Sequence, residues 1–190
     1  IAEQRQNMTH TLRLYSQSSC TQDWSCPRKY FYGYCYGGRG LSKGSTHLAL
    51  FLGSSIHDGL AAIAHGVDIE EIAQAAYKQV FDQLFVVTPG VVEAEVLEFA
   101  KEQASLVEGL LRGFYRGVWP QLMRQYPTII AIEQPCLYKY GGLAFMSRPD
   151  LLLADKDGLI VYVEFKSTSS KKVESINSWN TAGHVYWGIK

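Results

Sequence analysis

Two short apolar runs separated by a polar turn form the strongest pattern in the chain. Residues 151–154 and 159–163 are rich in strand-forming side chains, and Asp157-Gly158 between them is typical of a tight turn. The pattern predicts a β-hairpin. With the turn centred near Asp157, the numbers of paired residues sum to about 313, so Asp150 is predicted opposite Glu164 to within one residue.

The alternation of side chains along the second strand places a lysine near these acids. Glu164 and Lys166 lie on one face of that strand, and Phe165 points to the other face. Two ionised carboxylates held this close repel each other, and a bound divalent cation is the usual means of keeping both ionised. We therefore interpret this face as a metal site.

An earlier part of the chain contributes a third acid to the same face. Before the hairpin, residues 128–133 and 137–140 lead into a turn at Gly141-Gly142, and residues 143–146 follow it. Partners across the turn at Gly141-Gly142 sum to about 283, which places Glu133 beside Asp150. We expect the strands between residues 128 and 166 to form one three-stranded meander.

Helical periodicity dominates the middle of the chain. Three amphipathic helices are predicted: residues 48–65, a helix from a capping box at Asp68 to about residue 87, and a longer helix after residue 90 that ends at Pro120. Gly66 is expected to end the first of these helices. His57 lies beside its buried stripe, and a single helical histidine is most often structural, so periodicity alone assigns it no role.

The segment 24–34 is dense in aromatic residues and carries Arg28 and Lys29. Ser25 as the N-cap and Pro27 in the first turn predict a short helix. The aromatic side chains fit a core contact with the two cations solvated, and they fit contact with a nucleic acid equally well. The pattern leaves both interpretations open.

Size and composition fit one cytoplasmic domain. The 190 residues, 47% of them hydrophobic, are enough to bury a full core. The charges of 18 basic and 18 acidic residues cancel, which argues against a general nucleic-acid coat. The four cysteines lack CxxC spacing, so no disulfide framework is expected. No apolar run approaches the roughly 18 residues of a membrane span, and no signal peptide opens the chain.

The order of the predicted elements, helices followed by strands and a terminal helix, indicates an α/β (α+β) fold. We expect a single domain over residues 1–190, with a helical region at 19–120 and the strands and final helix at 128–190. The chain begins with Ile1 and ends at Lys190 inside an aromatic-rich segment, so we expect it to be trimmed at both ends.

Several short motifs resemble those of a known family. Pro149-Asp150, 13 intervening residues and then Glu164-Phe165-Lys166 resemble the signature of the PD-(D/E)XK nuclease superfamily. Two further motifs are similar to its RecB-like exonuclease branch: the segment Ser25–Tyr30 and the Gly-x-x-x-His pattern from Gly53 to His57. The resemblance implies a restriction-endonuclease-like core, with a central mixed β-sheet flanked by helices and an N-terminal helical region.

The resemblance also implies roles for individual residues. The implied catalytic set is Asp150, Glu164 and Lys166, with Lys166 orienting or helping to deprotonate the attacking water. The implied ligands of Mg²⁺ or Mn²⁺ are His57, Asp150, Glu164 and the backbone carbonyl of Phe165. Glu133 fits an accessory acid on the strand before Asp150. Hard oxygen ligands favour Mg²⁺, whereas a histidine ligand favours Mn²⁺.

The partner implied by the resemblance is DNA, as a duplex end or a single strand. A protein partner that supplies DNA loading also fits this family, and no membrane partner is expected. The candidate nucleic-acid-binding residues are Arg28, Lys29, Arg148, Lys171 and Lys172.

The chain departs from this branch at two places. After the last strand, His184 stands where the Gln of a Gln-x-x-x-Tyr motif is expected, and Tyr186 does not keep the spacing of the Tyr. The related iron–sulfur nucleases use one early cysteine, in the position of Cys26, and three cysteines beyond the helix that follows the Glu-x-Lys motif. No cysteine follows Cys136, so no iron–sulfur cluster is expected in the chain as given.

The implied function is a divalent-metal-dependent DNA nuclease, namely an exonuclease or DNA-end-processing enzyme of phage or bacterial replication and recombination. The alternative is a noncatalytic nucleic-acid-binding or assembly subunit with the same fold. The neutral net charge and the altered Gln-x-x-x-Tyr motif favour the alternative. The intact set of Asp150, Glu164 and Lys166 favours the enzyme.

Overall fold

The computed structural model describes residues 14–38, 40–41, 47–85, 93–140 and 142–165. These residues form two compact units. The first unit contains the described residues up to 41 and those from 134 to 149, and the second contains the described residues of 47–133 and 150–165. The predicted terminal helix lies outside the described residues.

Helices account for most of the regular structure. They are α1 (Gln17–Ser25), α2 (Pro27–Tyr30), α3 (Leu48–Ala64), α4 (Ile69–Leu84), α5 (Glu93–Gly113) and α6 (Trp119–Gln125). The strands are β1 (Leu14–Tyr15), β2 (Thr128–Ile132), β3 (Cys136–Tyr140), β4 (Leu143–Ser147), β5 (Leu151–Ala154) and β6 (Ile160–Val163). This mixture of helices and small, largely antiparallel sheets confirms the predicted α/β (α+β) class.

The first unit contains α1, α2 and a sheet in the order β1-β4-β3. Strands β3 and β4 are antiparallel and pair Cys136 with Ser147 and Tyr140 with Leu143, which is the register predicted for this turn. The predicted N-cap at Ser25 is wrong, because α2 begins after Cys26. Ser25 is the last residue of α1, and its hydroxyl donates to the carbonyl of Gln22 at 3.1 Å.

The second unit is built around an apolar cluster formed by α3, α4 and α5. Asp68 caps α4 as predicted, since its carboxylate accepts from the N–H groups of Glu70 and Glu71 at 2.8 and 3.4 Å. Helix α3 lies close to α5 at Gly59, where a Cβ would come within 2.6 Å of a Leu111 side-chain carbon. Glycine at this position therefore lets the two helices approach.

Pro120 does not end the third predicted helix. Helix α5 leads into a π-helical turn at Phe114–Val118, and α6 then begins with Pro120 in its first turn. The helical backbone continues through the π-helical turn into α6, since Val118 and Trp119 are both helical and the N–H of Trp119 donates to the carbonyl of Phe114. The prediction of a helix end at this proline is therefore wrong.

The strands from residue 128 onward do not form one meander. Strands β2, β5 and β6 make an antiparallel sheet in the order β2-β5-β6, whereas β3 and β4 belong to the sheet of the first unit. The apolar face of β5 packs against α6 through Leu151 and Leu153, both fully buried. Among the described residues, no helix has the length and apolar character needed to cross a membrane.

Candidate metal centre

The hairpin of β5 and β6 sets the position of the candidate site. Its ladder runs from Ala154 opposite Ile160 to Leu151 opposite Val163. The next pair in this register is Asp150 opposite Glu164, within the one-residue tolerance of the prediction. The carboxylate of Asp155 fixes the turn by accepting from the N–H groups of Asp157 and Leu159 at 2.9 and 2.8 Å.

Asp150 is held at the end of this ladder by hydrogen bonds to two strands. One oxygen of its carboxylate, Oδ2, accepts from the N–H of Phe165 at 2.6 Å. Its backbone carbonyl accepts from the N–H of Glu133 at 3.0 Å. The other carboxylate oxygen, Oδ1, lies 3.3 Å from Nδ1 of His57 on α3. The side chain therefore has a fixed orientation, with one oxygen facing the histidine.

Three side chains from separate elements converge at this point. One donor atom from each of His57, Glu133 and Asp150 lies within 4.8 Å of the other two, and all three residues are partly buried. Two carboxylates this close repel each other, and together with an imidazole they form a donor set suited to a divalent cation. The residues therefore fit a divalent cation.

Glu133 reaches the group through an unusual backbone conformation. Its φ is 47°, in the left-handed region, which costs a residue with a side chain about 1–2 kcal/mol. The hydrogen bond from its N–H to Asp150 helps to hold this conformation. A strained backbone conformation persists only where the surrounding structure holds it in place, and such conformations cluster at functional sites.

Tyr162 is a residue of this face that the sequence analysis missed. Burial, followed by the charges of Glu164 and Asp150, raises the pKa of its hydroxyl. The hydroxyl therefore stays protonated and can donate to a neighbouring carboxylate. The two-residue alternation that puts Glu164 on this face also puts Tyr162 there, so the signal was present in the sequence.

The structure brings some of the predicted site residues together and leaves others apart. Glu164 directly follows β6 and lies outside the group of three donors, in which Glu133 takes part. The side chain of Phe165 packs in the core, with its ring 5.2 Å from that of Phe114.

The described candidate nucleic-acid-binding residues do not lie in the same compact unit as the metal-site residues. Arg28, Lys29 and Arg148 are exposed and belong to the first unit, whereas the metal-site residues belong to the second. The other two candidates, Lys171 and Lys172, lie outside the described residues. The predicted catalytic residue Lys166 and the two residues of the altered Gln-x-x-x-Tyr motif, His184 and Tyr186, also lie outside them.

Two carboxylates and an imidazole beside a β-hairpin, in a helix-rich α/β fold, form a group that could hold a divalent cation. The family model described as the PD-(D/E)XK nuclease superfamily matches residues 15–184. The chain belongs to this superfamily, and its fold is restriction-endonuclease-like. Members of the superfamily are generally metal-dependent phosphodiester hydrolases. A comparison with curated proteins found no match.

Proposed function

We propose that this protein is a divalent-metal-dependent deoxyribonuclease that acts at DNA ends, as an exonuclease in phage or bacterial replication and recombination. The proposal depends on one observation above all. Donor atoms of His57, Glu133 and Asp150 lie within 4.8 Å of one another in a chain of the nuclease superfamily. Without a cation the two carboxylates repel each other, whereas a bound divalent cation would keep both ionised.

The proposed ligands are His57, Glu133, Asp150, Glu164 and the backbone carbonyl of Phe165. A divalent cation bound there lowers the pKa of a coordinated water and stabilises charge on the phosphate oxygens. The carboxylates favour Mg²⁺ and the imidazole favours Mn²⁺, so we expect activity with both ions.

The protein's own groups supply orientation and protons. The N–H of Phe165 holds one oxygen of Asp150, so its other oxygen keeps a fixed direction towards His57, where it would be available to a cation. In the proposed mechanism Lys166 orients the attacking water and stabilises the negative charge that develops in the transition state. The resemblance of the Glu164-Phe165-Lys166 motif to the family signature supports this role.

The first experiment compares end-labelled linear DNA with closed circular DNA in Mg²⁺, Mn²⁺ and EDTA. We expect the linear DNA to be degraded from its ends in either metal ion and both substrates to stay intact in EDTA. Cutting of the circular DNA would contradict the end-specific part of the proposal. DNA binding without cleavage in any metal ion would instead support the noncatalytic subunit.

Variants then separate metal binding from chemistry. Asp150→Ala should abolish cleavage and weaken Mn²⁺ binding in calorimetry. Lys166→Met keeps most of the side-chain length, so it should bind metal normally and cleave on the order of a hundredfold more slowly. Asp157→Asn, an exposed acid in the turn of the same hairpin, is the matched control and should keep full activity. Cleavage by Asp150→Ala at the parental rate would refute the site.

A further inference from the structure

A basic groove lies on the helical segment that follows α5, apart from the residues of the candidate metal centre. Its volume is about 530 Å³, and it is lined by Arg116, Gly117, Pro120, Gln121, Arg124 and Gln125. The lining therefore contains two guanidinium groups and two carboxamides but no carboxylate. Such a set of hydrogen-bond donors without a negative charge suits an anionic ligand.

The helical segment that carries the groove packs against the apolar core. Arg116, Pro120 and Arg124 follow one another at intervals of four residues, so they lie on one side of the helical segment. From the same segment, Trp119 and Leu122 pack into the apolar cluster beneath β5. The buried side of the segment therefore fixes the backbone that carries the two arginines.

The ion pairing of Arg116 and Arg124 differs from that of Arg112, which lies one helical turn before Arg116. Arg112 forms an ion pair with Glu70 that joins α5 to α4, and a second ion pair with Glu108 within α5. Within the described part of the chain, neither Arg116 nor Arg124 has a carboxylate within ion-pair distance. Arg116 acts on Glu70 only through a weaker, longer-range attraction. The groove thus keeps uncompensated positive charge.

We propose that this groove binds backbone phosphates of DNA, at a contact separate from the candidate metal centre. Eight residues of helix separate Arg116 from Arg124, or about 12 Å along the axis. The phosphates of one strand follow at about 3.4 Å along a duplex, so the two arginines span several of them. Planar guanidinium groups match phosphate oxygens in pairs, and Gln121 and Gln125 add uncharged donors. Contacts of this kind position DNA without reading its sequence.

This inference takes DNA as the ligand from the proposed function, and its test does not depend on cleavage. The experiment measures binding of labelled DNA to the whole protein by fluorescence anisotropy in EDTA, over a range of salt concentrations. The double variant Arg116→Gln/Arg124→Gln is compared with the parent protein. The double variant Lys78→Gln/Lys101→Gln removes the same charge from exposed positions on α4 and α5 and is the matched control.

We expect the arginine variant to bind roughly tenfold more weakly at low salt, because two phosphate contacts are lost. The slope of log affinity against log salt should fall by about 1–2 units. The loss should be equal for DNAs of different sequence, and the lysine control should stay close to the parent. Circular dichroism checks that both variants are folded.

Other outcomes overturn the inference. These are equal binding by parent and arginine variant, an equal loss in the lysine control, or no DNA binding by the parent. Failure of the proposed function gives a different result. Suppose that the parent protein cuts no DNA in any metal ion but that its DNA binding depends on Arg116 and Arg124. The nuclease proposal would then be refuted, and the inference that the groove binds DNA would stand.

Discussion

Replacing Glu133 by Gln tests whether the three-donor group exists to hold a cation. Glu133 and Asp150 place carboxylate oxygens within 4.8 Å of each other, so in the metal-free protein their charges oppose folding. Glutamine has the same shape, and it keeps the backbone N–H that donates to Asp150. The substitution therefore removes one charge and little else.

The magnitude of the effect follows from the distance between the two carboxylates. Two unit charges separated by 4.8 Å interact by about 1 kcal/mol with water-like screening and by about 3 kcal/mol at an effective dielectric constant of 20. Glu133 is only partly buried, so the lower value applies. Relief of about 1 kcal/mol raises the melting temperature of a domain of this size by about 2–4 °C.

A bound cation should reverse the order of the melting temperatures of the parent and Glu133→Gln. At a metal concentration about a hundred times its dissociation constant, the parent gains about 2.7 kcal/mol of stability. Without the charge of Glu133, the variant binds the ion more weakly and gains much less. We therefore expect Glu133→Gln to melt above the parent in EDTA and below it in saturating Mn²⁺.

The assay is thermal unfolding at pH 8, above the ordinary histidine pKa of about 6.5, in EDTA and across a Mn²⁺ titration. Glu98→Gln, an exposed acid on α5, controls for the loss of one charge and for unspecific effects of the ion. It should respond to Mn²⁺ as the parent does. An equal Mn²⁺-induced rise in melting temperature for Glu133→Gln and the parent would refute the reasoning, as would a lower melting temperature of the variant in EDTA.

Two further predictions concern the helices that support the site. Gly59→Ala should cost about 1–3 kcal/mol in urea unfolding, because the new methyl group meets the buried side chain of Leu111. Gly109→Ala should add about 0.5–1 kcal/mol, because that helical glycine has open space around it; equal effects of the two changes would contradict this account of the helix contact. The hydrogen bond from Arg112 holds the pKa of Glu70 below its ordinary value of 4.5, so the pair stabilises the fold above that value and loses its effect as the pH falls through the lowered pKa. Glu70→Gln should therefore be less stable than the parent at pH 7 and equal to it in acid, and a pH-independent difference in urea unfolding would contradict the role of the charge.

Local patterns predicted the local structure. Turn chemistry at Asp157-Gly158 gave the hairpin of β5 and β6 and placed Asp150 opposite Glu164, because a tight turn fixes the register of the strands on either side. Helical periodicity and the cap at Asp68 gave the starts of α3 and α4 within one residue. In each case the determining contacts lie only a few residues apart in sequence.

The prediction of the sheets was wrong because strand pairing depends on contacts between residues far apart in sequence. Strands β2 and β5 are separated by the hairpin of β3 and β4, and alternation along a strand does not specify which distant strand pairs with it. For this reason the single meander was expected and two sheets were found. The sequence pattern predicts a helix end at Pro120, but proline also occurs in the first turn of a helix, as it does in α6.

The position of Glu133 depends on a detail that no local pattern signals. Ile129 and Ile132 both face the apolar side of the sheet, opposite two fully buried leucines of β5, although strict alternation would put positions three apart on opposite faces. The register shifts between Ile129 and residue 131, so Ile130 is an extra, bulged residue. With strict alternation from Ile129, Glu133 would point into the apolar core. The bulge moves Glu133 to the opposite face, beside Asp150, so one inserted residue in β2 decides whether Glu133 joins Asp150 and His57.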